Sequence, residues 1–112
     1  AYVSKTSKIA DGTVVLNNVF VNANSIIGVC CILNTGCIIE HGCSVGGFSH
    51  ISTGVILNGE ASCGNGVFIG SGTIVNQGVE IGDLTLIASG SLVRKNVPGG
   101  ETLGGNPLRK IK

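Results

Sequence analysis

Leu33-Asn34-Thr35-Gly36-Cys37-Ile38-Ile39-Glu40-His41-Gly42-Cys43-Ser44-Val45 writes one six-residue pattern twice: an aliphatic residue, two polar residues, Gly, a small residue and a variable one. Outward from this stretch the aliphatic position recurs at every sixth residue from Val3 to Val93 without an insertion, and Cys63 is its one member that is not Val, Ile or Leu. A helix repeats its apolar face every 3.6 residues and a strand every 2, so an unbroken period of six predicts a hexapeptide β-solenoid. Four residues after each aliphatic position stands nothing larger than Val, and the position between is often Gly or Asn, the residues that accept positive φ at tight corners.

Each hexad therefore reads as one short strand and one corner, and three hexads close a triangular coil of 18 residues. The aliphatic residues fall into three ladders, for example Val3, Val21, Ile39, Leu57, Val75 and Val93. The expected fold is all-β, a solenoid of about five coils over residues 1–97 with a short tail at 98–112. Register is expected to stop at Val93, because Pro98, Gly99 and Gly100 break the strand pattern.

Composition bounds the remainder. A chain of 112 residues with 19 glycines and four aromatic residues suits one ladder-packed domain. No apolar run approaches the ~18 residues of a membrane span. A net charge of +1 argues against a general nucleic-acid binder. Five of the seven basic residues, Arg94, Lys95, Arg109, Lys110 and Lys112, lie in the last 19 positions, either as a solubilising tail or as a site for a polyanion. Five cysteines leave an odd count, so free thiols and a reducing, cytoplasmic setting are expected. Cys31, Cys37 and Cys43 fall in the small inward column as core fillers, and no zinc-ligand spacing occurs.

The hexads, the segment Asn34 to His41 followed by Phe48-Ser49-His50-Ile51, and the ending Gly104-Gly105-Asn106-Pro107-Leu108-Arg109-Lys110 together resemble the sugar O-acyltransferases of the sialic-acid acetyltransferase type. Within that group the chain is most similar to bacterial N-acetyltransferases acting on nucleotide-linked 4-amino-4,6-dideoxy sugars. The resemblance implies a left-handed parallel β-helix, against the usual right-handed crossover. It also implies a homotrimer with acetyl-CoA in the grooves between prisms, and transfer of acetyl to the amine of a UDP- or GDP-linked sugar in glycan biosynthesis.

His41 stands two positions after an inward Ile39, on a corner facing outward, where an imidazole can take a proton at neutral pH. The resemblance assigns the matching histidine as general base. It places the counterpart of His50 beside the thioester of acetyl-CoA, although a residue packing at a trimer seam fits His50 as well. Because the two histidines are half a coil apart, they are expected on different sides of one prism, so that His41 of one subunit would meet His50 of the next. Gly59, Ser71 and Ser89 match positions whose backbone contacts the pantetheine arm, and Arg109 and Lys110 lie in an element near the nucleotide end of the coenzyme. Asn34 and Glu40 are candidates to orient His41 or the substrate, with a stacked polar corner as the other reading of Asn34. Relatives often carry an acid directly after the catalytic histidine, whereas this chain has Gly42, so Glu40 or a carboxylate from another segment must take that part.

Val3 is already in register with no polar cap before it, and relatives carry an N-terminal nucleotide-sugar-binding βαβ domain, so such a domain is expected to precede this piece. O-acetylation of a sialic acid or another sugar hydroxyl is the alternative chemistry. A γ-type carbonic anhydrase would need three zinc-binding histidines per site where two are present, and an ice-binding or purely structural solenoid would show a regular Thr face. No metal is expected.

Overall fold

The computed structural model describes residues 1–111 and contains strands and turns but no helix. Lys112 lies outside the described residues. Sixteen two-residue strands follow one another at intervals of six, and those 18 residues apart pair in parallel, as in Ile38↔Ile56 and His50↔Phe68. The result is the left-handed β-helix expected, a triangular prism with three parallel faces.

Face 1 carries Tyr2–Val3, Phe20–Val21, Ile38–Ile39, Ile56–Leu57, Ile74–Val75 and Leu92–Val93. Face 2 carries Lys8–Ile9, Ile26–Ile27, Ser44–Val45, Ser62–Cys63 and Glu80–Ile81. Face 3 carries Val14–Val15, Ile32–Leu33, His50–Ile51, Phe68–Ile69 and Leu86–Ile87, and is extended by Thr102–Gly104 and the antiparallel Arg109–Lys110. The second residue of each strand points inward, so the three predicted ladders form the core, with Val21, Leu33, Ile39, Ile51, Leu57, Ile69, Val75, Ile87 and Val93 fully buried.

The second inward column explains its own composition. Ser25 Oγ donates to the Glu40 carbonyl (2.9 Å) and Ser49 Oγ to the Gly64 carbonyl (3.0 Å), each 15 residues ahead. Cys31 Sγ reaches Gly46 O (3.1 Å) and Cys43 Sγ reaches Asn58 O (3.2 Å) with the same spacing. The column thus selects a small side chain with a donor that satisfies a corner carbonyl, and Ser, Thr and Cys meet that need alike.

Two sequence expectations change. Every sixth residue from 12 to 90 has positive φ, including Cys30, Phe48, Glu60 and Leu84, which are not left-handed formers. The cause is coil-to-coil hydrogen bonding: the corner N–H reaches back to a carbonyl on the preceding coil, as in Glu60 N to His41 O (2.9 Å) and Phe48 N to Val29 O (2.9 Å). Register also does not stop at Val93. Val97 bridges Ile81 on face 2, and Leu103 pairs with Ile87 on face 3, so a sixth coil forms with two residues removed from its first corner. The removal takes Asn96 out of the left-handed series, and Gly100 (φ 75) supplies the next such corner.

All five cysteines are free, Cys30 being exposed and the other four buried. Burial pushes the thiols of Cys37, Cys43 and Cys63 up from 9.0 to about 12, about 11 and about 12. A thiol kept neutral in the fold but free to ionise when unfolded contributes stability that is complete below pH 9 and is lost as pH rises through 11 to 12. The urea midpoint is therefore expected to hold from neutrality to about pH 9 and then fall, less steeply in Cys63→Val, while a thiol reagent labels one cysteine per chain before unfolding; a flat midpoint at alkaline pH would contradict this.

Candidate active site

The corner between faces 1 and 2 stacks equivalent residues at intervals of 18: Asn22, Glu40, Asn58 and Asn76 in one column, Ala23, His41, Gly59 and Gln77 in the next. Five of these, Glu40, His41, Asn58, Gly59 and Gln77, line a groove of about 410 Å³. Side chains stacked in register at the ~4.8 Å separation of neighbouring strands can stand parallel, as Asn22 and Glu40 do, but a ring laid across the next coil needs a bare position there. Gly59 solves this for His41. A Cβ built on Gly59 would lie 2.6 Å from His41 Nε2 and 2.9 Å from Cε1, so the imidazole rests directly on the Gly59 backbone.

The corner that presents His41 is held from inside and outside. Ser25 Oγ donates to the Glu40 carbonyl (2.9 Å) and accepts the Cys43 N–H (3.2 Å), clasping the turn on both sides of the histidine. Gly42 N donates back to Ala23 O (2.9 Å). The Glu40 carboxylate accepts a hydrogen bond from Asn22 Nδ2 (3.1 Å) and borders the same groove as the imidazole.

His50 occupies a different place, facing outward and half-buried in the middle of face 3. Its ring meets Phe68 edge-on, with centroids 5.1 Å apart at 89°. Asn34 Nδ2 lies 3.3 Å from His50 Nε2, and Asn34 Oδ1 already accepts the Thr35 N–H (2.7 Å). The amide hydrogens therefore point at the imidazole Nε2, which can accept from them when it carries no proton. Asn34 thus orients His50, not His41.

The remaining candidates fall on two edges. Gly59 lies beside His41 on the corner between faces 1 and 2, whereas Ser71 and Ser89 stack 18 residues apart on the corner between faces 3 and 1, where Gly90 N bonds Ser71 O (2.8 Å). Arg109 and Lys110 form the outer strand of the C-terminal hairpin, and the Lys110 ammonium is engaged with Glu101 at 3.2 Å. Near that end, Arg94, Lys95, Glu101, Leu103 and Leu108 help to line a second cavity of about 300 Å³. Among the described residues no three His, Cys, Asp or Glu side chains cluster in a way that could hold a metal ion.

Sequence reasoning passed over Asn22, Asn58 and Gln77, which border or brace the groove, and Phe68, which packs on His50. The signal was present in the 18-residue interval, which brings each of them onto a named candidate once corner residues are stacked as the ladder residues are.

The fold and repeat together define a class, the hexapeptide-repeat solenoid. Residues 60–95 match the family model described as bacterial transferase hexapeptide (six repeats), so the chain carries the repeat of bacterial hexapeptide transferases. Among solved structures, the acetyltransferase domain of PglB from Neisseria gonorrhoeae, in complex with acetyl coenzyme A, superposes with a TM-score of 0.96 at 31% identity, over 97% of this chain and 53% of that one. PerB from Caulobacter crescentus, in complex with CoA and GDP-perosamine, matches with a TM-score of 0.85 at 28% identity, over 98% and 56%, and a mutant of GDP-perosamine N-acetyl transferase from the same organism matches equally, at 27% identity. The polySia specific acetyltransferase NeuO shares the fold, with a TM-score of 0.71 at 23% identity over 98% and 59%. The chain spans about half the length of these proteins. A search of curated sequences gave no match.

Replacing Gly59 by Ala is expected to displace the His41 ring without unfolding the protein, since the atoms nearest the new methyl belong to a movable side chain. The ring-proton resonances of His41 should move in the NMR spectrum while those of His50 hold and Tm changes by no more than about 4 °C. Unmoved His41 resonances would show that the imidazole does not sit on Gly59.

Proposed function

We propose that this chain is the acyl-transfer domain of an acetyl-CoA-dependent sugar acetyltransferase, and that its acceptor is the amino group of a nucleotide-linked 4-amino-deoxysugar. The observation that carries this reading is an outward imidazole seated on Gly59, in one groove with the Glu40 carboxylate, on a solenoid whose solved neighbours bind acetyl coenzyme A or CoA with GDP-perosamine. An alkylamine is protonated at neutral pH and must lose a proton before it can attack. Glu40 offers an anionic partner for that ammonium, which favours an amine over a sugar hydroxyl, and His41 supplies the base.

Acetyl-CoA brings an acyl group activated as a thioester. The acceptor nitrogen attacks its carbonyl carbon, the C–N bond forms, the C–S bond breaks, and CoA departs as the thiolate. The ammonium first releases one proton to solvent; once the C–N bond forms, His41 takes the second proton shed by the nitrogen and returns it to the thiolate, so the products are the amide, the CoA thiol and one solvent proton. His50, with its ring oriented by Asn34, is suited to bind near the acetyl group.

One chain presents these groups on separate edges, and this supports a homotrimer in which the His41–Gly59 edge of one subunit faces the His50 face of the next, with Ser71 and Ser89 lining the same intersubunit groove. Two of the three outer faces are apolar: Tyr2, Phe20, Ile38, Ile56, Ile74 and Leu92 on face 1, and Val14, Ile32, Phe68 and Leu86 around His50 on face 3. Such faces are expected to be covered by neighbours. In this reading Arg109 and the second cavity with Arg94 and Lys95 supply cations for the coenzyme phosphates, Lys110 less so while it engages Glu101. Free thiols fit a reducing, cytoplasmic setting, and no helix is long and apolar enough to cross a membrane.

Calorimetric titration of acetyl-CoA, sedimentation, and acetyl-transfer assays with UDP- and GDP-linked 4-amino-4,6-dideoxy sugars test the reading. A trimer binding one acetyl-CoA per chain is expected, with binding weakened in His50→Ala. His41→Ala should keep coenzyme binding but lose at least about a hundredfold in kcat. A folded protein that binds no acetyl-CoA, or a His41→Ala variant with full turnover, would overturn it.

A further inference from the structure

On the corner between faces 1 and 2, His41 and Gly42 stack on Gly59 and Glu60 of the next coil. At both stacked positions one coil carries a side chain and the other carries Gly, in opposite order. A Cβ on Gly59 would lie 2.6 Å from His41 Nε2, and a Cβ on Gly42 would lie 2.5 Å from Glu60 Oε2. The imidazole thus covers Gly59 while the Glu60 carboxylate reaches back over Gly42, so that ring and carboxylate lie in neighbouring columns of the same gap between coils.

Glu60 holds this place in the left-handed region, at φ 64, which a residue with a Cβ adopts at a cost, and equivalent corners on the flanking coils use Gly42 and Gly78. Its N–H donates to the His41 carbonyl (2.9 Å), which ties the two corners together. Glu40, the other carboxylate beside the ring, is committed to Asn22. Asn58 and Gln77 complete the surroundings of His41 and are neutral. Lys5 and Lys95 lie on the same edge but two and three coils away, roughly 10 and 14 Å at the strand spacing, where solvent screens them.

We propose that Glu60 is the positioning carboxylate for His41, taking from the next coil the electrostatic part that an acid at position 42 would play: it stabilises the imidazolium formed when His41 removes the acceptor's proton. This rests on His41 acting as the base. The imidazole and the carboxylate form no ion pair in the resting arrangement, the one ion pair among the described residues being Lys110 with Glu101, so Glu60 acts on the charged form of the ring through space.

The test pairs Glu60→Gln with the exchange Gly42→Glu/Glu60→Gly, which moves the carboxylate to the other side of the same gap; both corners already adopt positive φ, so neither variant changes the backbone demand. Glu60→Gln is expected to lower kcat about fivefold to tenfold, the size of one surface charge interaction, with KM for acetyl-CoA unchanged and the acidic limb of the pH profile displaced to lower pH. The exchange should recover most of kcat and the original profile. Independently of turnover, the His41 ring-proton resonances, read by NMR, should shift in Glu60→Gln and return towards their original positions in the exchange, with those of His50 unchanged. A Glu60→Gln enzyme with the wild-type profile and ring response, or an exchange variant as impaired as the single one, would overturn the proposal. A wild-type protein that transfers no acetyl group while its His41 ring still responds to Glu60 would overturn the transferase reading and leave the electrostatic pairing standing.

Discussion

The structure depends on backbone hydrogen bonding between residues one coil apart. Along the strands an N–H reaches forward, Ile38 to the Val55 carbonyl (2.8 Å) and Glu40 to Leu57 (2.9 Å); at the corners it reaches back, Gly42 to Ala23 and Glu60 to His41 (both 2.9 Å). Each coil therefore has to copy the length and the corner conformation of the coil before it. This is why Cys30, Phe48, Glu60 and Leu84 take a conformation their side chains disfavour: the ladder of bonds around them is worth more than the local cost. The one departure in length among the described residues comes between Val93 and Val97, in the last coil described.

A fold built by copying is legible in a sequence to the extent that the copied feature is a side chain. The three ladders were read directly, because a narrow prism accepts only aliphatic residues at the inward strand position, and Cys63 alone departs from them. The small column was equally plain, although its deeper rule, a donor aimed at a carbonyl 15 residues ahead, emerged only from the hydrogen bonds of Ser25, Ser49, Cys31 and Cys43. The sixth coil was hidden because a two-residue deletion changes the phase of the pattern, and Pro98-Gly99-Gly100 read as a break when it is a corner.

For the candidate site the division is similar. His41 and His50 stand out by residue type, and their separation onto different sides of the prism follows from the nine residues between them. What they touch does not. Asn34 is seven residues from His41 and 16 from His50, yet it lies against His50, because in a solenoid the near neighbour is one coil away. Gly42 looked like a missing acid in the linear sequence, and Gly59 like a backbone contact. Stacked, both are the space into which a side chain from the adjacent coil extends.

That use of glycine bears on how such a fold can hold a reactive group at all. In a column of full-sized residues a large polar side chain must stand parallel to its neighbours, as Asn22 and Glu40 do, or clash where it folds across them. The edge carrying His41 avoids both by alternating, Ala23, His41, Gly59, Gln77 in one column and Asn24, Gly42, Glu60, Gly78 in the next, so that the large side chains in adjoining columns are offset by one coil. The offset opens a groove of a few hundred cubic ångströms lined by an imidazole and the Glu40 carboxylate, with Glu60 in the adjoining column. Chemistry on this scaffold is obtained by breaking the repeat at the corner while keeping it intact in the core, and in this chain the break lies in the two coils that run from His41 to Gln77.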